Sequence, residues 1–323
     1  MNPQPVSRLE TLLRQGVFTV TGEIAPPKSA NSDLVERAAR YLRGAVDAIN
    51  VTDNQRGLAR MSSLGAGVIL EQAGYEAVVQ ITGRHRNKLA LQADVLSMAA
   101  LGVRNIVAMT GDSPKLGDHA DAKDVLELNS FQLVRTVRTL RDECTFVSGT
   151  PLREPPRVFI GAVANPNIER AVRTGKKIES GAEFIQTQPI FDIELFRRWM
   201  AEARELGLHR RAFILAGVML VRSPQSAAYM REHIKGVGMT EAVERRLVQA
   251  ADPAEEGMRL AAETIQAVRT EEGVAGVHLM SINWSRAIPN VVEAAGLLPR
   301  PEVCKPELTP WPRRLRRDIA EEE

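Results

Sequence analysis

The chain has 323 residues, 44% hydrophobic and 25% charged, enough apolar material for a full core and a length that suits two average domains or one large α/β barrel. Lys and Arg number 42 against 40 Asp and Glu, and a formal charge of only +2 argues against a nucleic-acid binder that works through bulk charge. No apolar run approaches the ~20 residues of a membrane-spanning helix, and the lone cysteines Cys144 and Cys304 form no C-x-x-C pair, so neither a disulfide framework nor a thiolate zinc site is expected and a reducing cytoplasm fits.

The first sixteen residues, MNPQPVSRLETLLRQG, show no apolar h-region and no small-residue cleavage pattern, so no signal peptide is expected. Beyond them, short β-branched runs alternate with longer amphipathic stretches. Strands are predicted over 18–23, 48–51, 76–81, 105–109, 158–163, 184–188, 212–217 and 276–280. Each is short, apolar on both faces and bounded by polar or Gly/Pro residues, as buried parallel strands are. Helical spacing of apolar residues predicts helices over 34–42, 88–101, 131–140, 170–180 and 193–206. Strict βα alternation predicts a (β/α)8 TIM barrel, with a doubly wound sheet as the alternative. Residues 1–300 read as the single barrel domain and 301–323 as a C-terminal tail. The tail's basic run Arg313, Arg314, Arg316 and Arg317 and its acidic end, Glu321 to Glu323, read as solvated surface. Two intervals exceed a simple βα unit: 113–157, with a Pro/Gly/Asp-rich loop and one helix, and 221–275, with two or three helices. Long insertions after barrel strands shape the substrate mouth, because active sites in this fold gather at the C-terminal strand ends.

The residues that close each strand therefore carry most of the functional information. The first strand ends in Thr21-Gly22-Glu23-Ile24-Ala25-Pro26-Pro27. A carboxylate closing an apolar strand before a proline-stiffened turn is suited by burial to donate a proton near neutral pH, or else serves as an N-cap or rim ion pair. The second and third end in Asn50-Val51-Thr52-Asp53-Asn54 and Gln80-Ile81-Thr82-Gly83-Arg84, with His85 and Arg86 beyond. These side chains suit the edge of a planar heterocycle or a phosphate, and Asp53 or Thr82 equally suits helix capping. The fourth ends in Thr110-Gly111-Asp112, where glycine allows close backbone approach to a ligand and the acid can order that ligand's donors; the same pair is also a common turn. The fifth ends in Asn165-Pro166-Asn167. The sixth carries Gln186 and Gln188, two apart and so on one face; a buried amide needs a partner, and the edge of a pterin or flavin is a natural one. The five histidines, His85, His119, His209, His233 and His278, share no metal-ligand spacing. No G-x-G-x-x-G follows a strand, and neither a Walker A motif nor a G-x-S-x-G elbow is present.

Taken in order, these strand ends resemble the methylenetetrahydrofolate reductase family. The matching segments are TGEIAPPK (21–28), NVTDNQRGLARMS (50–62), QITGRHRNK (80–88), NIVAMTGDSPKLGD (105–118), IGAVANP (160–166), KKIESGAEFIQTQPIFD (176–192), LAGVMLVRS (215–223) and GVHLMSINW (276–284). Each is weak alone; eight in sequence are specific, and they cover about residues 15 to 298. The resemblance implies a flavin, FAD or FMN, across the barrel mouth with a folate stacked on it. It implies that Glu23 assists protonation of the folate N10 leaving nitrogen, that Asp112 lies between flavin and pterin, and that Gln188 contacts the pterin. Thr52, Thr110, Gly111, Asp112, Ala162, Asn165 and Lys177 fall at flavin-contact positions, Lys177 as phosphate or ribityl partner. Gln80 stands where some members have a flavin-contacting histidine. NAD(P)H is the implied electron donor, through a ping-pong cycle in which each substrate vacates the same flavin face. Members that use a nicotinamide tend to carry a glutamine and an aromatic residue after the seventh strand. The best-aligned positions here are Ser226 and Met230, with Gln225 and Tyr229 one residue away. That departure keeps open a subunit fed electrons by a partner protein; a flavin-free pterin-binding methyltransferase barrel is a further alternative. A homo-oligomer is also compatible with the sequence, whereas nucleic-acid and membrane partners are not expected.

Overall fold

Eight runs rich in Val, Ile, Ala and Phe form parallel strands: β1 (Thr19–Ile24), β2 (Ala48–Val51), β3 (Ala77–Thr82), β4 (Asn105–Met109), β5 (Phe159–Ala164), β6 (Phe184–Pro189), β7 (Phe213–Leu220) and β8 (Val274–Ser281). They pair in chain order, and β1 closes on β8 through registers such as Thr21 opposite His278. The result is a (β/α)8 barrel, as the alternating pattern predicts. The computed structural model describes residues 4–234 and 236–308, so the basic run Arg313, Arg314, Arg316 and Arg317 and the acidic Glu321 to Glu323 lie outside the described residues. No helix among the described residues is long and apolar enough to cross a membrane.

Helix starts are written locally in the sequence. Ser62, Asn87, Asp192, Ser223 and Asp252 each accept a hydrogen bond from the first turn of the adjoining helix. Asn129 and Gln132 form a reciprocal capping box at Ser130–Arg138. Each such cap stabilises its helix by about 1 kcal/mol. The long interval after β7 holds three helices, Pro224–His233, Glu241–Gln249 and Pro253–Arg269.

Period-two alternation divides the strand residues between two layers. Val20, Ile49, Ile81, Ile106, Ile160 and Ile185 face outward and pack with the helices. Ala48, Val78, Val107, Phe159, Phe184 and Leu215 face inward near the N-terminal strand ends. The Phe159 and Phe184 rings stack there with centroids 4.8 Å apart. Gly161 makes room for them, since a Cβ at that position would lie 2.3 Å from the Phe184 ring.

Beneath this apolar floor lies the helix Arg8–Arg14, which inserts Leu9 and Leu13 into the same cluster. Ser7 caps it, and Glu76 accepts from both the Leu9 amide and the Asn105 side chain. At the same end, Arg300 binds Asp47 at 2.6 Å and the Phe18 carbonyl at 2.8 Å. This helix is absent from the elements the sequence pattern predicts. The pattern also sets β7 and β8 too short: β7 runs on to Leu220, with Met219 opposite Met280 and Leu220 opposite Ser281, and β8 already starts at Val274. Polar and glycine positions do not end a strand whose two edges are both hydrogen-bonded by neighbours.

Candidate active site

Moving up the barrel, the inward side chains turn from apolar to polar. Thr21, Asn50, Gln186 and His278 are all buried inside it. Asn50 donates to Gln186 Oε1 at 2.7 Å, and Gln186 returns a bond to Asn50 Oδ1 at 3.0 Å. Gln186 also reaches the Thr21 hydroxyl at 3.4 Å, and that hydroxyl lies 3.0 Å from His278 Nδ1. Thus Gln186, expected to seek a ligand edge, finds its partners within the protein. A buried amide pair that satisfies itself is cheaper than one waiting for a ligand. The strand-end segments contain Thr21, Asn50 and His278 without singling out any of them; the inward parity they share with Glu23 and Gln186 is the signal that does.

The next level is the mouth. Glu23 sits two residues beyond Thr21, its side chain only 11% exposed. Gln80 Nε2 donates to Glu23 Oε2 at 3.2 Å, and His278 Nε2 stands 3.6 Å from the same oxygen. Glu23 Oε1 has no hydrogen-bond partner among the described residues. Gln188, half-buried at the end of β6, likewise has no side-chain partner among them. Thr52 continues the inward register of Asn50 and is buried, and its hydroxyl is unpartnered among the described residues. Past β4, Thr110 is half-buried and Gly111 has φ +88°, a conformation glycine adopts at little cost. Asp112 is exposed at the rim, where its Oδ2 accepts the Arg56 amide at 2.7 Å.

Three expected residues lie on the other side of the strands or at their periphery. Ala162 belongs to the outer apolar layer. Asn165 donates to the Gly236 carbonyl and accepts from the Asn167 amide. Lys177, in the helix Ala171–Ser180, donates to the Val163 carbonyl at 2.5 Å at the end of β5. Burial pushes its ammonium below the usual lysine range, and no carboxylate lies within ion-pair distance among the described residues.

The basic trio after β3 is occupied by protein rather than free for a phosphate. Arg84 holds Asp124 and the Gly111 carbonyl, His85 meets the Asp112 carbonyl, and Arg86 binds Asp53 and Asp94. Asp53 also accepts from the Thr82 amide and hydroxyl, tying the end of β2 to that of β3. On Pro224–His233 the structure shifts the expected pair by one residue. Met230 is buried in an apolar cluster and Ser226 joins the Ser223 cap, whereas Gln225 and Tyr229 are the exposed residues one turn apart. The Tyr229 hydroxyl accepts from Arg56, linking the loop after β2 to the helix after β7.

The arrangement suits a flavin on one observation: the Thr52 hydroxyl is buried and has no partner among the described residues. Lys177 already has partners, the Val163 carbonyl and the Phe131 ring, and Glu169 favours its charge. At Gly111 the absent side chain makes room for Thr82, since a Cβ there would lie 2.7 Å from the Thr82 Cβ.

Fold and site together define a (β/α)8 protein with a closed apolar floor and a polar, carboxylate-bearing mouth at the strand ends where such barrels do chemistry. Residues 8–296 match the family model described as methylenetetrahydrofolate reductase, and the chain belongs to that family. It is similar to methylenetetrahydrofolate reductase 1 of Schizosaccharomyces pombe, 26% identical over 87% of this chain and 46% of the relative. It is also similar to a probable methylenetetrahydrofolate reductase (NADPH) of Caenorhabditis elegans, 24% identical over 68% of this chain and 33% of the relative. The chain thus spans about half or less of the length of these curated relatives. Among solved structures, an uncharacterized protein from Clostridium thermocellum that binds two copies of 5-methyl-5,6,7,8-tetrahydrofolic acid shares the fold. Its TM-score is 0.63 at 12% identity, over 90% of this chain and 98% of that one.

Proposed function

We propose that this chain reduces 5,10-methylenetetrahydrofolate to 5-methyltetrahydrofolate with a bound flavin, FAD or FMN, and NAD(P)H as electron donor. The observation that carries the reading is Glu23: a nearly buried carboxylate at the mouth, held on Oε2 by Gln80, with Oε1 left for a ligand. Opening the methylene bridge of the folate requires a proton on its N10, and Glu23 is the group that supplies it. Gln188, whose amide has no partner among the described residues, offers a donor and an acceptor to the pterin edge. Thr52, Thr110 and Gly111 would hold the flavin, with Gln80 beside it and Lys177 meeting its anionic portion. Ala162 and Asn165 would act through the backbone at the end of β5. Asp112 orients the pterin and holds the loop at Arg56 in the same stroke. When bound, a flavin supplies the hydride that turns the methylene carbon into a methyl group.

The exposed Gln225 supports direct use of a nicotinamide; the Tyr229 ring beside it is stacked on His233 and lies under Arg56, so a nicotinamide that stacks there has to displace one of them. Anaerobic stopped-flow mixing tests the whole reading. The purified protein is expected to be yellow, to bleach with NADH or NADPH, and to recover its colour with methylenetetrahydrofolate. A colourless protein that binds methyl-folate and passes on its methyl group would replace this reading with a methyltransferase. A yellow protein inert to both nucleotides would point to an electron-donating partner subunit.

A further inference from the structure

We infer that His278 is a positioning residue for Glu23, its ring tautomer fixed from below by a chain of buried hydrogen bonds. This inference rests on the reading of Glu23 as the acid. The chain starts at the amide pair. Gln186 Nε2 has two hydrogens, one directed to Asn50 Oδ1 at 3.0 Å and the other to Thr21 Oγ1 at 3.4 Å. Thr21 accepts there, so its single hydrogen is left to donate. Two acceptors compete for it: His278 Nδ1 at 3.0 Å and the Val277 carbonyl at 3.4 Å. The shorter contact wins, which makes Nδ1 an acceptor and leaves the ring proton on Nε2.

Nε2–H faces Glu23 Oε2 across 3.6 Å, just beyond hydrogen-bond length. Such catalytic contacts are often long without substrate and tighten once it binds. When the O–H bond at Glu23 Oε1 breaks and its proton joins the leaving nitrogen, the C–N electron pair stays on that nitrogen. Glu23 is then a carboxylate, and the His278 Nε2–H and the Gln80 amide both point at Oε2. No proton leaves His278. The two donors fix which carboxyl oxygen is engaged by protein and which is presented to substrate, and they stabilise the charge that develops. His278 is 3% exposed, so water does not compete for the task.

Two variants and one spectroscopic measurement test this. His278→Asn keeps a group near Thr21 but nothing that reaches Glu23; His278→Gln restores a donor at the Nε2 position. The Asn variant is expected to lose roughly 10- to 100-fold in kcat for methylenetetrahydrofolate reduction, with KM changed less than about twofold. The Gln variant is expected to recover to within about fivefold of the parent. Long-range 15N–1H correlation spectra of histidine-labelled protein at alkaline pH should show the His278 ring protonated on Nε2. With five histidines in the chain, loss of one signal in His278→Gln assigns it. Thr21→Val should shift that tautomer, which keeps the test open if the His278 variants fold poorly. A ring protonated on Nδ1, a tautomer unmoved by Thr21→Val, or an Asn variant at full kcat would each overturn the inference. If the parent protein does not reduce methylenetetrahydrofolate, the functional reading fails, and the ring spectrum still decides the hydrogen-bond chain.

Discussion

The floor and the mouth of this barrel are built from the same strands, two or four residues apart, yet they follow opposite rules. On β2, β3 and β6, inward positions run from Ala48, Val78 and Phe184 to Asn50, Gln80 and Gln186 in a single step of the pleat. Below that step the barrel interior is an apolar cluster, and a helix seals the end. Above it, Glu23 Oε1, the Gln188 amide and the Thr52 hydroxyl have no partner among the described residues. The apolar packing below supplies stability, and the unpartnered groups at the mouth are open to a ligand; Thr19 Oγ1 and Asn105 Oδ1, at the floor end, are also without a partner among the described residues. The amide pair of Asn50 and Gln186 is the boundary between the two.

That contrast predicts that mutations above the boundary change rates and those below it change stability. Glu23→Gln should lower folate reduction by about 10²- to 10⁴-fold while flavin stays bound, read by single-turnover absorbance. Loss of the flavin, or an unchanged rate, would end the division of labour. Phe184→Ala, in the floor, should cost about 3–5 kcal/mol in urea unfolding through the cavity it leaves, with Glu23 chemistry intact in the folded fraction. Asn50→Leu probes the boundary itself. It strands the Gln186 amide and should cost about 1–3 kcal/mol, and the double variant with Gln186→Leu should recover part of that loss. The smallest effect is expected at Thr52→Val. Its hydroxyl bonds nothing among the described residues, so stability should move by less than about 0.5 kcal/mol, while flavin affinity measured by fluorescence quenching falls several-fold.

Much of the barrel is legible because its information is local. β-branched runs, capping residues such as Asn87 and Asp192, and strict alternation each stand in one stretch of sequence. The places of Glu23 and Gln188 near the ends of β1 and β6, and of Asp112 in the loop just past β4, are legible for the same reason. Partnerships across the barrel are not. Gln186 reads as a free amide until Asn50, 136 residues away, is seen opposite it. His278 has no metal-ligand spacing, and the segment GVHLMSINW gives it no role, whereas its contact with Thr21 is made across to the neighbouring strand. The helix Arg8–Arg14 has a Ser7 cap and leucines at 9, 12 and 13, but two turns of helix give too short a pattern to register as periodic. On the helix after β7, a one-residue rotation exchanges the buried Met230 for the exposed Tyr229, a distinction that burial reveals and alignment does not.

The ties of Arg300 to Asp47 and Phe18, and of Lys305 to Glu71 and the Gly102 carbonyl, bring the last described residues to the same end as the helix Arg8–Arg14. Both extremities of the described stretch therefore hang beneath the sealed pole. A biosensor chip or fluorophore coupled through either extremity would leave the opposite pole facing bulk solution, so binding could be recorded on immobilised protein without screening the opening.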